Sequence, residues 1–322
     1  MLVKTMCLSV ILFALAVFLQ GLWIRWMRGK KIGETIKDYG PEEHKKKKGT
    51  PGMGGIVAFV LAPAVAFAIC FFGAAGRTEM ITIWSFPLLA GFVGLADDII
   101  KSLRKSSEGL RSLQKLFLQI IACGSWSLIA ARQGIFLLPD FPLSFAAGTP
   151  LLVFFGVGAL NAVNITDGLD GLAGGAVAIS LVSVFLWSRD SAVISSASIG
   201  AALVTAFLWH NSNPAQVFMG DVGSHFWGGL LISLCVAAKS LVFVIPMCFL
   251  FGIELITSAI QIVSIRGFNR KIFKMSPMHH HFELSGMSEP LIVSRFLITH
   301  SVGLTVVIIL IEMFRNGGLA NG

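Results

Sequence analysis

TPLLVFFGVGALNAVNITDGLDGLAGGAVAISLVSVFLW, residues 149–187, consists of an apolar run (149–160), a polar stretch, and a second apolar run (172–187). The stretch 161–175, NAVNITDGLDGLAGG, sets two carboxylates and two side-chain amides directly at the end of an apolar segment. That pattern puts Asn164, Asp167 and Asp170 where a membrane span meets water. Asp167 and Asp170 are three residues apart, so a helical turn would set them on one face. The glycines at 168, 171, 174 and 175 let a ligand or a neighbouring helix approach the backbone. Taken alone, the stretch reads equally well as a polar interhelical turn with Asp caps.

Working outward, the chain is 55% hydrophobic and only 13% charged, with a mean hydropathy of +0.80. A soluble domain carries about twice that charge. The expected fold is therefore an all-α integral membrane protein of about ten transmembrane helices, since each span takes roughly 20 apolar residues, built as one domain over residues 1–322. The candidate spans are 3–24, 55–73, 80–96, 116–134, 149–163, 172–188, 192–209, 223–238, 241–264 and 292–313. The first is too long, and its flank too basic, for a cleaved signal peptide. Of the 25 Lys and Arg residues, only Lys4, Arg77, Arg132, Arg189, Lys239 and Arg315 fall on one side of these spans. Retained loops are basic on the cytoplasmic side, so both termini are expected to be extracytoplasmic and the polar loops cytoplasmic. The net charge of +8 is then a topology signal with no implication of nucleic acid. The five cysteines lie within apolar segments, without metal-ligand spacing, and read as small core residues.

The loops carry the chemistry. HKKKKGTPGMGG (44–55) offers Lys45 and Lys46 as a lipid-headgroup patch. Lys47 and Lys48 precede a GTPG turn able to hold a lysine over a phosphate. Asp97 and Asp98 end the third span and repel each other unless a divalent cation, a lysine such as Lys101, or a shared proton intervenes. Lys115 starts the fourth span, as a snorkelling or a functional lysine. Residues 133–150 form a short structured external loop with three prolines. HNSNPAQVFMGDVGS (210–224) supplies Asn211, Phe218, Gly220 and Asp221; Phe218 faces either lipid or a nucleotide base. Glu254 and Gln261 lie inside the ninth span, where an ionisable residue is a functional candidate or a partner within the bundle, and Pro246 kinks that span. In IRGFNRKIFKMSPMHHHFE (265–283), His279, His280 and His281 read as metal ligands, phosphate donors or a solvated loop.

Asp97, Asp98, Asp167, Asp170 and Asp221 come from three loops on the same side, together with Lys47, Lys115 and the histidines. Mg²⁺-dependent phosphate chemistry requires such a set, because Mg²⁺ takes one or two carboxylates plus phosphate oxygens and water while lysines neutralise the rest.

Over essentially the whole chain, GTPGMGG, LADDIIK, NAVNITDGLDGLAGG, NPAQVFMGDVGS and MSPMHHHFE resemble, in order, the motifs of the polyprenyl-phosphate N-acetylhexosamine-1-phosphate transferases. PMHHHFE is similar to the muramoyl-pentapeptide branch of that family. The resemblance implies transfer of phospho-MurNAc-pentapeptide from UDP-MurNAc-pentapeptide to undecaprenyl phosphate, giving lipid I and UMP, with Mg²⁺ as cofactor. It further implies a multi-pass protein of the bacterial plasma membrane, with its active site facing the cytoplasm and a homodimer left open. By the same resemblance Asp221 is the Mg²⁺ ligand, and Asp97 and Asp98 are the pair near the lipid phosphate. Asn164, Asp167 and Asp170 lie around the nucleoside and sugar, with Phe218 beside the uracil. Lys47, Lys101, Lys115, His279, His280 and His281 are set around phosphates or sugar, and Asn211, Gly220 and Gln261 complete the substrate-binding set. Gly52 departs from the family, which usually has threonine there. Two rivals stand beside this reading: a GlcNAc-1-phosphate transferase, and a secondary transporter, for which only Glu254 lies at the depth of a coupling site.

Overall fold

The computed structural model describes residues 2–30, 33, 47, 49–71, 76–139 and 141–319. His44, Lys45, Lys46 and Lys48 lie outside the described residues. In chain order the helices are α1 (Leu2–Gly29), α2 (Ile56–Phe71), α3 (Arg77–Arg104), α4 (Ser112–Ala131), α5 (Phe145–Thr166) and α6 (Leu172–Trp187). They continue with α7 (Ser191–Asn211), α8 (Gly220–Ala237), α9 (Val244–Met247), α10 (Phe249–Phe268), α11 (Met278–Glu283) and α12 (Glu289–Leu319). Seven of these, α1, α3, α4, α5, α7, α10 and α12, are long and apolar enough to cross a membrane, and α2 and α6 are shorter apolar helices. The protein is a mostly helical, multi-pass membrane protein.

The bundle is built around α8. Every residue from Asp221 to Ala237 is buried, so this helix meets no lipid and tolerates Gly, Ser, His and Asp where a peripheral span could not. Two glycines set its neighbours close: a Cβ on Gly228 would lie 2.9 Å from the Ala159 carbonyl of α5, and one on Gly229 would lie 2.9 Å from Pro87 Cα of α3. The outer helices turn large apolar side chains outward, among them Phe18, Phe117, Phe154 and Phe314.

Two expectations took a more specific form. The ninth span, 241–264, is broken: a 3₁₀ turn (Leu241–Phe243) and α9, which contains Pro246, precede α10. Backbone groups freed by such a break need partners inside a bilayer. Ser180 Oγ donates to the Met247 carbonyl at 2.6 Å, and the Leu250 amide donates to His300 Nδ1 at 3.4 Å. The 133–150 loop folds into an antiparallel hairpin of β1 (Ile135–Leu138) and β2 (Phe141–Leu143), with Ile135 opposite Leu143. The opposite end of the bundle gathers the C-terminal ends of α3, α5 and α7 with the N-terminal ends of α4, α6, α8 and α12, and every aspartate singled out above lies there.

Candidate active site

Three carboxylates meet between α3 and α8. One oxygen each from Asp97, Asp98 and Asp221 lies within 4.8 Å of the others, and all three residues are buried. Their approach depends on glycine, since a Cβ on Gly94 would stand 2.1 Å from the Asp221 carbonyl oxygen, too close for the two helices to keep their spacing. Asp98 is oriented by the N-terminus of α8: its carboxylate accepts the backbone N–H of Asp221 at 3.1 Å and of Val222 at 2.9 Å. Gly220, at φ +74, makes the sharp entry that this requires. Asp97 accepts the Leu110 amide at 2.7 Å and pairs with Lys101 Nζ at 2.7 Å, one helical turn away. Asp221 Oδ2 accepts from both Lys101 and Lys115, each at 2.7 Å, and its Oδ1 accepts from the Asn164 amide, which also donates to Ser224 Oγ.

Two lysines face three carboxylates, so acidic groups outnumber basic ones in the cluster. Its donor set of hard oxygens suits a cation of the Mg²⁺ type. The Lys101 ammonium, in contact with Asp97 and Asp221 together, already marks where positive charge is stabilised.

A second charged cluster lies in the same end of the bundle. Lys47 Nζ donates to Asp170 Oδ1 at 2.7 Å and to Glu289 Oε1 at 2.6 Å. Burial works against the Lys47 charge, but the hydrogen bonds and negative charge of Asp170 and Glu289 outweigh it and raise the Lys47 pKa above its ordinary value. The other Asp170 oxygen accepts the Ala215 amide at 2.9 Å and the Asn213 side-chain amide at 3.2 Å. The shared helical face expected for Asp167 and Asp170 is not formed. Helix α5 stops at Thr166, Asp167 caps it at φ −77 and ψ 50, and the chain turns through Gly171 (φ +81) into α6. The glycines that permit this turn are what prevent the helix.

A cavity of about 790 Å³ joins the two clusters. Of the expected residues, Lys47, Asp98, Lys101, Asn164, Asp167, Asp170, Asn211, Phe218, Gly220, Asp221 and His280 line it. Asp97 and Lys115 stand behind the lining, joined to Asp221 through Lys101 and directly. Phe218 is held by main-chain bonds, its N–H donating to the Pro51 carbonyl and its carbonyl accepting from Gly54, both at 2.8 Å. In that paired loop Gly52 contributes its carbonyl to the Trp23 indole at 3.2 Å, so no side chain is needed there to hold the turn. Asn211 spends its side chain on the backbone of Gly171 and Val217, fastening the α5–α6 turn to the α7–α8 loop.

Besides Asp97 and Lys115, three expected residues lie off the cavity. Gln261 receives the amides of Ile272 and Phe273 and donates to the Phe273 carbonyl, which pins the loop after α10. His281 accepts the Lys274 amide at 3.1 Å. His279 is fully buried with Nδ1 3.3 Å from Glu254 Oε2, and Glu254 also accepts the Met278 amide at 2.7 Å. The histidine run thus forms the short helix α11 with only His280 at the cavity. Glu254 is a bundle partner of α11, as its structural reading anticipated.

Sequence reasoning missed Glu289. The signal was present, a carboxylate immediately ahead of a long apolar run on the same side as the aspartates, as with Asp221. Ser102 and Lys105, beyond the Asp97–Lys101 motif, also line the cavity and were passed over.

Residues 80–239 match the model of the family described as Glycosyl transferase family 4. The class is that of a membrane-embedded phosphoglycosyl transferase. The chain is 36% identical over 308 residues to a phospho-N-acetylmuramoyl-pentapeptide-transferase of Halalkalibacterium halodurans, covering 92% of this chain and 94% of the relative. Its identity to the protein of the same name from Bacillus cytotoxicus is 37% over 297 residues, 88% of this chain and 90% of that one. The chain belongs to the phospho-N-acetylmuramoyl-pentapeptide-transferase family.

Proposed function

We propose that the protein transfers phospho-MurNAc-pentapeptide from UDP-MurNAc-pentapeptide to undecaprenyl phosphate, yielding lipid I and UMP, with Mg²⁺ held by Asp221 beside Asp97 and Asp98. The observation that carries this reading is the convergence of those three carboxylates within 4.8 Å, with Lys101 and Lys115, at the wall of a cavity at one end of the bundle. A bound divalent cation would neutralise phosphate oxygens and favour departure of UMP. Lys101 and Lys115 add positive charge on the same side, and Asn164 fixes the Asp221 carboxylate in the orientation the site uses. Phe218, lining the same cavity, offers its ring to the uracil.

The reaction proceeds by direct attack of the lipid phosphate on the sugar-bearing phosphorus. A phosphate monoester loses its second proton near pH 6, so undecaprenyl phosphate is already largely dianionic at neutral pH. Asp98 is a poor alternative nucleophile, because both its oxygens accept backbone N–H groups of α8. Exchange of labelled UMP into the sugar nucleotide by lipid-free enzyme requires a covalent intermediate and would refute direct attack.

The cavity end faces the cytoplasm and both termini face out. Cysteines introduced singly at Glu108 and Arg189 should then label from opposite sides of intact cells, and labelling of both from outside would contradict the orientation.

The experiment that tests the function is UMP release by the purified protein. Release should require UDP-MurNAc-pentapeptide, undecaprenyl phosphate and Mg²⁺ together. Equal release from UDP-GlcNAc would favour the GlcNAc-1-phosphate transferase reading.

A further inference from the structure

Glu289 opens α12 and lies behind the cavity wall, at 8% exposure. Its Oε1 accepts from the Lys47 ammonium at 2.6 Å and from the Asp170 amide at 2.7 Å, and its Oε2 accepts from the Asn213 amide at 3.4 Å. One side chain thereby ties together the segment before α2, the α5–α6 turn, the α7–α8 loop and the start of α12.

Asp170 alone already balances the charge of Lys47, so the second carboxylate is not needed for neutrality. What it adds is direction. An ammonium has three donors on a freely rotating head; with two of them committed to Asp170 and Glu289, the third is held in a set orientation at the end of a side chain that lines the cavity. Glu289 also holds the amide of Asp170, and with it the turn that carries Asp167, Gly168 and Asp170 along the same wall. An ionised carboxylate this buried is costly unless it is paired, and its three partners lie on three different segments.

Resting on the reading above, in which this wall takes the sugar nucleotide, we infer that Glu289 is a positioning residue for the nucleotide substrate, acting chiefly through Lys47. Its hydrogen bonds go to Lys47, Asp170 and Asn213 and to none of the three triad carboxylates.

The test uses the full-length protein in detergent, with UMP as the binding probe. Glu289→Gln should weaken UMP binding and raise KM for the sugar nucleotide by about ten-fold, within the range of coupling between members of one hydrogen-bond network. The kcat and the KM for undecaprenyl phosphate should stay within about two-fold, and Glu289→Asp, which keeps the charge, should recover part of the loss. In a Lys47→Ala background the Glu289→Gln change should add little. Unchanged UMP binding in Glu289→Gln overturns the inference alone. So does a full ten-fold loss on top of Lys47→Ala, or a fall in melting temperature accompanied by equal rises in both KM values, which marks a merely structural role. Failure of the wild-type protein to bind UMP overturns the substrate reading and this inference with it.

Discussion

The two charged clusters use the same kinds of residue to opposite ends. In the Asp97–Asp98–Asp221 cluster the carboxylate oxygens face one another and the lysines come in from the side, so the centre is a place for positive charge. In the Lys47–Asp170–Glu289 cluster the ammonium already occupies the centre, and backbone or amide donors take the remaining oxygens. The first is an arrangement that a divalent cation would complete. The second already holds its own cation, and it fixes the Lys47 head at the cavity wall. The identity of the side chains does not separate the two; the position of the cation relative to the carboxylates does.

Substitutions that remove charge without changing shape should therefore act differently in the two places. Asp221→Asn takes one carboxylate from the triad and leaves Lys115 without its carboxylate partner, while Lys101 keeps Asp97, removing several kcal/mol of charge stabilisation. Turnover should fall on the order of 10³-fold, and UMP release under saturating substrates measures it. A loss of only a few-fold would place Asp221 with the holding groups of the second cluster.

The next effect lies between the clusters. Phe218→Ala should weaken UMP binding about ten-fold, since a base stacked on an aromatic ring is worth about 1–3 kcal/mol, while the triad keeps its metal. Calorimetry with UMP, at unchanged melting temperature, checks this; unchanged affinity would assign Phe218 to packing of the 51–55 and 217–219 loops alone.

The first cluster was legible in the sequence because its residues lie at helix ends next to apolar runs, where a charged side chain stands out. The same rule would have drawn attention to Glu289, but its partnership with Lys47 spans 242 residues and arises only when α12 packs beside α6. At 167–171 the sequence left two readings open, a shared helical face for Asp167 and Asp170 and an interhelical turn with Asp caps; the structure has the turn, with Asp167 capping α5 and Gly171 at φ +81. Helix α8 shows the complementary limit. Its apolar run predicts a span, yet nothing in that run says it lies at the centre, surrounded by α2, α3, α5, α6 and α7. Its tolerance of Asp221, Ser224 and His225 follows from that burial within the protein.

The central claim is that the triad, and not the Lys47 cluster, holds the divalent cation. Mn²⁺ binding to the purified protein, followed by electron paramagnetic resonance, tests it without reliance on turnover. The account predicts one bound Mn²⁺ in the wild-type protein and in Glu289→Gln, displaceable by Mg²⁺, and none in Asp221→Asn. Retention of the ion by Asp221→Asn, or its loss from Glu289→Gln, would contradict the account.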